Sequence, residues 1–334
     1  MISLARGRSK AIFKWAKRGP GAWAAFVLLG HLYLLLKVVP ESSILAMGKN
    51  LGKAILLLAG PRKRVALENL RLALGDSLEP WRRREIMARF MVSLGLNLAE
   101  LGHEGFMSLG SLRKRVALQG LENLDRALER GSGAILATAH FGNFPLILAR
   151  FGLEGYPIGV IIRDPRHRPV AKFLDEWRSR YGVRTVKDKP RWRSAKEGMA
   201  LLRSNGVLTV HTDLNVSEGG LFVPFFGHWV PSFAGPALMS LRTQAPILPT
   251  FIRRVHGLDH RIDIMPQVKP PLTGKKEEDV WRISTILSLQ TERAIRKYPD
   301  QWWWIHRRFR KRRPEKEVGR PIPQELLDAV LPVP

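Results

Sequence analysis

The chain has 334 residues and no cysteine, and its 55 Lys+Arg outnumber its 29 Asp+Glu to give a formal net charge of +26. The lack of cysteine excludes a disulfide scaffold, a Cys-ligated zinc or iron–sulfur site and a thiol nucleophile. The hydrophobic fraction of 45% excludes global disorder, and the charge predicts an anionic partner, which is a nucleic acid, an anionic membrane surface or an acidic protein.

The first 40 residues contain no Asp or Glu, and a basic leader precedes an apolar run at 22–36, AWAAFVLLGHLYLLL. Fifteen helical residues span about 22 Å, short of the roughly 30 Å hydrocarbon core, but Lys37 can snorkel and Val38–Val39 extend the run. No small-residue cleavage site follows, which favours an uncleaved anchor over a signal peptide; a buried core helix is the other reading. The basic flank places the leader on the cytoplasmic side.

Two helical regions follow the leader. The stretch Ile44–Ala59 is apolar but interrupted by Lys49, Asn50 and Lys53, so it predicts an amphipathic helix that lies on the membrane surface or packs on the body. Residues 61–105 carry helical spacing of apolar positions and predict two helices joined by GDSLEP.

From about residue 115 short β-type runs alternate with helical stretches. The predicted strands are at 133–139, 157–162, 206–212, 246–252 and 261–265, and the predicted helices are at 145–151, 169–181, 194–204, 235–243 and 278–297. This alternation predicts an α/β fold with a mixed, largely parallel sheet flanked by helices. We divide the chain into a segment at 1–60 that holds the basic leader, the predicted anchor and the amphipathic helix, a main domain at 61–313 and a Pro-rich, loosely attached tail at 314–334.

The segment ATAHFGNFP at 137–145 holds the strongest candidate for chemistry. His140 directly follows a buried strand, at the sheet edge where ligand and catalytic groups of α/β proteins concentrate. Gly142 lets the backbone bend close to a substrate, and Asn143 can cap the next helix, whose free N–H groups favour an anion or oxyanion.

Two further segments combine aromatic and basic residues. The first, LFVPFFG at 221–227, predicts a loop that either lines an apolar groove with Phe225 or packs in the core. The second, YPDQWWWIHRRFRKR at 298–312, has the composition of an interfacial belt in contact with lipid headgroups.

Taken in order, these blocks resemble the lipid A late acyltransferase family of the lysophospholipid acyltransferase-like group. The resemblance runs from about residue 20 to 313 and comprises the leader, VALENLRLAL with Asn69, HFGNFP, the basic segment with Arg163 and Arg178, HTDLN with Asp213, LFVPFFG and PDQWWWIHRRF. It implies transfer of a fatty acyl group from acyl carrier protein to a lipid hydroxyl, on the cytoplasmic face of the inner membrane, with a single N-terminal anchor.

The resemblance also implies roles for individual residues. His140 accepts the hydroxyl proton, and backbone N–H groups near Gly142 and Asn143 with a nearby arginine stabilise the oxyanion. Arg163, Arg178 and Arg253 are the candidates for contact with a phosphorylated lipid acceptor, by default a lipid A precursor. Neither a metal nor a cofactor is implied, since the acyl carrier protein thioester is a substrate. The basic surplus suits that acidic carrier and anionic membrane lipids.

The chain departs from the family at Pro145, where the motif has Glu or Asp. Proline cannot accept a hydrogen bond from the imidazole of His140. Three explanations stay open: another carboxylate orients His140, with Asp213 ahead of Glu218 and Asp164; His140 turns over slowly without one; or catalysis is lost and lipid binding remains.

Other functions therefore compete with the default one. The Pro145 departure raises the prospect of a different acceptor, such as a lysophospholipid, an aminolipid or a glycolipid, or of an inactive lipid-binding homologue. A nucleic-acid-binding protein is suggested by the charge alone; the chain has no recognisable module for it, and that function leaves the apolar leader unexplained. We expect no nucleic-acid partner.

Overall fold

The computed structural model describes residues 39–58, 60–75, 78–104, 109–163, 168–216, 220–313 and 320–334. The helices are α1 Glu41–Leu58, α2 Gly60–Leu74, α3 Pro80–Glu104, α4 Leu109–Arg115, α5 Leu121–Leu128, α6 Pro145–Leu153, α7 Arg168–Arg180, α8 Arg191–Arg203, α9 Gly235–Thr243, α10 Lys276–Lys297 and α11 Gln324–Asp328, with a 3-10 turn at Pro299–Gln301. The strands are β1 Val116–Gln119, β2 Ala134–Thr138, β3 Ile158–Ile162, β4 Arg184–Lys187, β5 Val207–His211, β6 Leu221–Phe225, β7 His228–Ser232, β8 Ile247–His256 and β9 Asp259–Ile264.

The described residues form a seven-stranded sheet in the order β1-β9-β8-β2-β5-β3-β4. Within this sheet only the β8–β9 pair is antiparallel, so the predicted mixed and largely parallel sheet is confirmed. The strand-like runs of the sequence became β2, β3, β5, β8 and β9. The four-residue β1 and β4 were not predicted, because such short strands carry too few residues to show a period.

Strand β2 lies in the middle of the sheet and is buried along its whole length. Alternate side chains face opposite layers: Leu136 packs with α6 and its neighbours, whereas Ile135 and Ala137 pack with α9 and α10. Cover on both faces explains why β2 reads as a continuous apolar run, and it fixes the edge from which His140 emerges.

The segment at 221–227 forms the first strand and the turn of a β-hairpin that ends at Ser232, which corrects the prediction of a loop. Strands β6 and β7 pair antiparallel around Phe226 and Gly227, which have φ of 51° and 70°. A hairpin turn requires such positive φ values. The prolines at 224 and 231 obscured the strand pattern, since proline normally argues against a strand interior.

Helix α1 packs on the body along α3, which selects one of the two alternatives predicted for 44–59. Gly48 and Gly52 of α1 face Gly95 of α3 so closely that a Cβ atom on Gly95 would lie 2.2 Å from the Gly52 nitrogen. Only glycine, which has no side chain, allows the two helices to cross so closely. The crossing holds α3 beneath the sheet edge that carries His140.

Among the described residues no single helix is both long enough and apolar enough to cross a membrane. Helices α1 and α2 meet those criteria only as a pair, and they are bent by 92° at their junction. The predicted anchor at 22–36 lies outside the described residues.

The C-terminal tail corrects another prediction. Residues 320–334 are not loosely attached, because Leu326 is fully buried against the α10 layer. Gln290 of α10 both donates to the Leu331 carbonyl and accepts from its N–H, and Arg293 donates to the Val330 carbonyl. The tail forms the short helix α11 and then continues without a helix, which leaves the backbone groups of Val330 and Leu331 free to bond to α10.

The crossing of α1 and α3 predicts that Gly95→Ala destabilises the protein by about 1–3 kcal/mol, because the added methyl group overlaps the α1 backbone. Urea denaturation of the full chain measures the change. The matched control is Gly110→Ala in α4, where a Cβ meets no described atom within 4 Å; there alanine is neutral or stabilising. Equal stabilities of the two variants would show that the crossing is not as close as described.

Candidate active site

The register of β2 and β5 brings His140 and Asp213 together. Thr138 of β2 pairs with His211 of β5, and both strands run in the same direction. Each strand then continues two residues further, to His140 and to Asp213. Two groups 73 positions apart in sequence therefore meet at the carboxyl end of the sheet.

Asp213 accepts three hydrogen bonds from two segments. Its Oδ1 lies 2.9 Å from the His140 Nδ1, and its Oδ2 accepts from the His140 backbone N–H at 2.9 Å and from the Trp302 Nε1 at 2.8 Å. The Asp213 side chain is 2% exposed and that of His140 is 20% exposed. The carboxylate is thus sealed in while the imidazole reaches the surface of the site.

The electrostatics keep Asp213 ionised. Burial by itself raises the pKa of the Asp213 carboxyl, but the charge and hydrogen bonds of His140 outweigh it, so the pKa lies far below its usual range. An ionised Asp213 accepts from Nδ1–H and leaves Nε2 of His140 as the basic nitrogen. The arrangement can therefore remove a proton from a group that approaches Nε2.

A turn at Gly142 and Asn143 follows His140 and is held from beneath by α3. Gly142 has φ of 54°, and a Cβ there would lie 2.4 Å from the Ile252 carbonyl oxygen. Its carbonyl accepts from Asn97, and Asn143 donates to Glu100 at 2.8 Å. The predicted capping role of Asn143 is not seen: helix α6 has Phe144 at its N-cap, and Asn143 binds α3 instead.

Glu100 is the centre of a buried ionic cluster under that turn. Besides Asn143 it accepts from both terminal nitrogens of Arg254, at 2.6 and 2.5 Å, and lies 3.1 Å from the His260 Nε2. Burial raises the pKa of Glu100, but the hydrogen bonds from Arg254 and His260 prevail and lower it to about 2. The cluster ties α3, β8 and β9 to the Gly142 turn.

The segment at 298–312 forms the far wall of the site, which corrects its interpretation as an interfacial belt. Trp302 and Trp304 are fully buried, and the Trp303 N–H donates to the His140 carbonyl at 3.0 Å. Asn69 of α2 donates to the carbonyls of Trp304 and His306, at 2.6 Å each. The segment therefore packs against the backbone at His140 and helps to hold that residue in place.

Arg308, in the same segment, is only 1% exposed and holds the chain in place just after Asp213. It donates to the Leu214 and Pro231 carbonyls and to the Ser232 hydroxyl. Burial lowers the pKa of Arg308 to about 10, against the opposing charge of Asp213. A headgroup contact for Arg308 is ruled out by this burial.

The three predicted acceptor-binding arginines are engaged elsewhere. Arg163 is exposed and pairs with Asp188, and Arg178 is buried between Thr185 and Asp175. Arg253 lies beside Asp263 and over the Tyr298 ring. None of their described contacts joins them to His140, so the structure does not assemble the predicted arginine site.

Phe225 is 1% exposed and packs among the rings of Phe226, Trp302 and Phe309, so it belongs to the core and not to an open groove.

Pro145 begins α6, as its fixed φ favours. Of the candidate orienting acids, Asp164 and Glu218 lie outside the described residues, and Asp213 is bonded to His140.

Glu100 and His211 are two residues of the site that the sequence does not predict. Glu100 is a single carboxylate in the apolar run LNLAEL, and a charge at an apolar helical position was the available signal. His211 stands in HTDLN two residues before Asp213, where only the strand register shows that it neighbours His140. Among the described residues no group of three or more His, Asp or Glu side chains could hold a metal ion.

A family model described as bacterial lipid A biosynthesis acyltransferase matches residues 10–311. The chain belongs to this acyltransferase family. It is 25% identical over 307 residues to a lipid A biosynthesis lauroyltransferase of Escherichia coli K12, covering 91% of this chain and 96% of that protein. It is 26% identical over 308 residues to the lipid A biosynthesis palmitoleoyltransferase of the same organism, covering 88% and 93%.

A further relative of this acyltransferase carries a different name. A phosphatidylinositol mannoside acyltransferase of Mycobacterium tuberculosis is 30% identical over 194 residues, which cover 55% of this chain and 56% of that protein. The resemblance drawn from the ordered motifs is confirmed by the family match, and the protein is an O-acyltransferase of that family.

The Glu100 cluster predicts a pH-dependent contribution to stability. Because the folded-state pKa of Glu100 lies below its ordinary value, its contribution is complete above about pH 4.5 and is lost as the pH falls through the folded value. Glu100→Gln is expected to lower the free energy of unfolding at pH 7 by about 3–5 kcal/mol, since Arg254 loses its buried counter-charge.

Denaturant titrations from pH 7 to pH 3 measure this effect. Wild type should lose stability below pH 4.5 more steeply than Glu100→Gln, and the exposed control Glu129→Gln should follow wild type. Parallel pH profiles for wild type and Glu100→Gln would contradict the role of Glu100.

Proposed function

We propose that this acyltransferase moves a fatty acyl group from acyl carrier protein to a hydroxyl of a lipid acceptor, by default a lipid A precursor, with His140 as general base. The observation that supports the proposal is the hydrogen bond between the His140 Nδ1 and the buried, ionised Asp213, which leaves Nε2 basic at the surface of the site. A histidine oriented by a buried carboxylate is the standard device for activating an alcohol.

The chemistry balances without a covalent enzyme intermediate. Nε2 of His140 takes the hydroxyl proton as the alcohol oxygen attacks the thioester carbonyl carbon. The tetrahedral intermediate collapses, the carbon–sulfur bond breaks, and the leaving thiolate receives the proton from His140. Asp213 stays ionised throughout and stabilises the imidazolium that forms between the two transfers.

Asp213 supplies the orienting carboxylate that Pro145 cannot provide. The family motif places a carboxylate at position 145, whereas here the acid comes from the end of β5 and already accepts the Nδ1 proton. This geometry favours an orienting carboxylate over an unassisted histidine. It also disfavours an inactive lipid-binding homologue, since a protein that only binds lipid has no use for a buried carboxylate aimed at a histidine.

The acceptor class is proposed from the relatives. The two long matches are named for lipid A biosynthesis, so a lipid A precursor is the default acceptor. The shorter matches to phosphatidylinositol mannoside acyltransferases make a different glycolipid the alternative. One of the two long matches is named for lauroyl transfer and the other for palmitoleoyl transfer, so the length of the acyl chain that this protein transfers is left open.

We propose a location on the cytoplasmic face of the inner membrane, with the apolar run at 22–36 as the single anchor. The net charge of +26 supports attraction both to anionic lipids and to an acidic acyl carrier protein. The acceptor is expected to be phosphorylated, because the cationic surface also suits phosphate.

Substitutions at the two site residues test the function. The purified full chain is incubated with acyl carrier protein thioesters and with a lipid A precursor or phosphatidylinositol mannoside, and mass spectrometry follows the products. His140→Ala is expected to abolish turnover, and Asp213→Asn is expected to lower kcat by about 10⁴-fold with little change in KM, because the amide cannot hold the required tautomer.

The matched control is Asp328→Asn, a carboxylate in α11 bonded to Gln324, which should retain full activity. Equal rates for His140→Ala and wild type would rule out the general base. Absence of transfer by wild type to either acceptor, together with lipid binding, would favour the non-catalytic homologue.

The departure at 145 gives a separate prediction. Pro145→Glu is expected to change kcat by less than about tenfold, because Nδ1 of His140 already donates to Asp213. Pro145→Ala serves as the control for loss of the proline ring at the start of α6. An increase of about 100-fold in Pro145→Glu alone would show that Asp213 does not replace the family carboxylate.

A further inference from the structure

A second imidazole lies beside His140. His211 ends β5, and its ring centroid is 4.5 Å from that of His140, with 41° between the planes. The Phe144 ring stands edge-on to both, at 4.8 Å from His140 and 5.0 Å from His211. The two imidazoles thus share one wall of the same site.

Nε2 of His211 is buried, and within the described part of the chain it has no hydrogen-bond partner. Nearly all buried polar atoms in folded proteins have a partner, and an orphaned one costs about 1–3 kcal/mol. Burial, and then the charge on His140, lower the pKa of His211 to about 3, so its ring is neutral at physiological pH. A neutral imidazole keeps one N–H that it can donate.

Acyl transfer needs such a donor, since negative charge develops on the carbonyl oxygen. Four of the donors predicted from the sequence, the Gly142 N–H and the three arginines, are engaged elsewhere. The Gly142 N–H bonds to the Gln301 carbonyl at 2.8 Å. The arginines at 163, 178 and 253 each lie against a carboxylate.

We propose that His211 is a catalytic residue that donates a hydrogen bond from Nε2 to the carbonyl oxygen of the transferring acyl group. In the tetrahedral intermediate the attacking oxygen and the former carbonyl oxygen are bonded to the same carbon. Two imidazoles in contact can serve both: His140 takes the proton from the attacking oxygen, and His211 stabilises the charge on the other. No proton leaves His211. The inference rests on the proposed function.

Three substitutions of His211 test this role. In His211→Phe the ring is kept and the N–H is lost, and kcat is expected to fall by about 10²–10³-fold with KM within about threefold of wild type. In His211→Gln an amide nitrogen reaches the position of Nε2, so kcat is expected to be at least tenfold higher than in His211→Phe. In His211→Asn the amide reaches only the position of Nδ1 and should not.

The comparison separates the possible outcomes. A kcat of His211→Phe within threefold of wild type, or equal loss in the Gln and Phe variants, would overturn the donor role. Thermal denaturation shows which variants fold, and if His211→Phe does not, the Gln and Asn pair decides alone. A wild type without transferase activity overturns the proposed function, and this inference with it, whereas an active wild type with an unaffected His211→Phe overturns only this inference.

Discussion

The site depends on the hydrogen bonds that hold His140 against a buried, ionised Asp213. Removing a carboxylate from water costs several kcal/mol, and here that cost is offset by donors from His140 itself and from Trp302. Because both the backbone and the ring of His140 bond to Asp213, the imidazole has one orientation. That orientation decides which ring nitrogen faces the open side of the site, and the proposed chemistry depends on it.

The elements around this pair serve to keep it in place. On one side, the Trp302–Trp304 segment pairs with the backbone around His140 and is tied to α2 by Asn69. On the other, the cluster around Glu100 holds the Gly142 turn against α3. Charge buried in this way stabilises only when each group has its partner, so the cluster also makes the site sensitive to single substitutions.

The neighbouring imidazoles of His140 and His211 illustrate how environment divides roles between identical side chains. His140 is joined to a buried carboxylate, and its side chain is 20% exposed. His211 is partly buried beside the Phe144 ring, and burial lowers its pKa to about 3, which keeps the ring neutral and suits the proposed donor role. His211 pairs with Thr138 at the ends of β5 and β2, and Asp213 lies two residues further along the chain, beside His140. The ring of His211 therefore also lies next to that of His140.

The sequence by itself determined the α/β class, five of the strands, the placement of His140 at a strand end and the family, because apolar periodicity and motif order are local properties. From the sequence Asp213 is the first of three candidates to orient His140, ahead of Asp164 and Glu218. Tertiary structure decided which groups meet His140, since strand order and register bring together residues far apart in the chain. It also decided that Phe225, Arg308 and the tryptophans are buried, because composition records what a segment is made of and not which surface it covers.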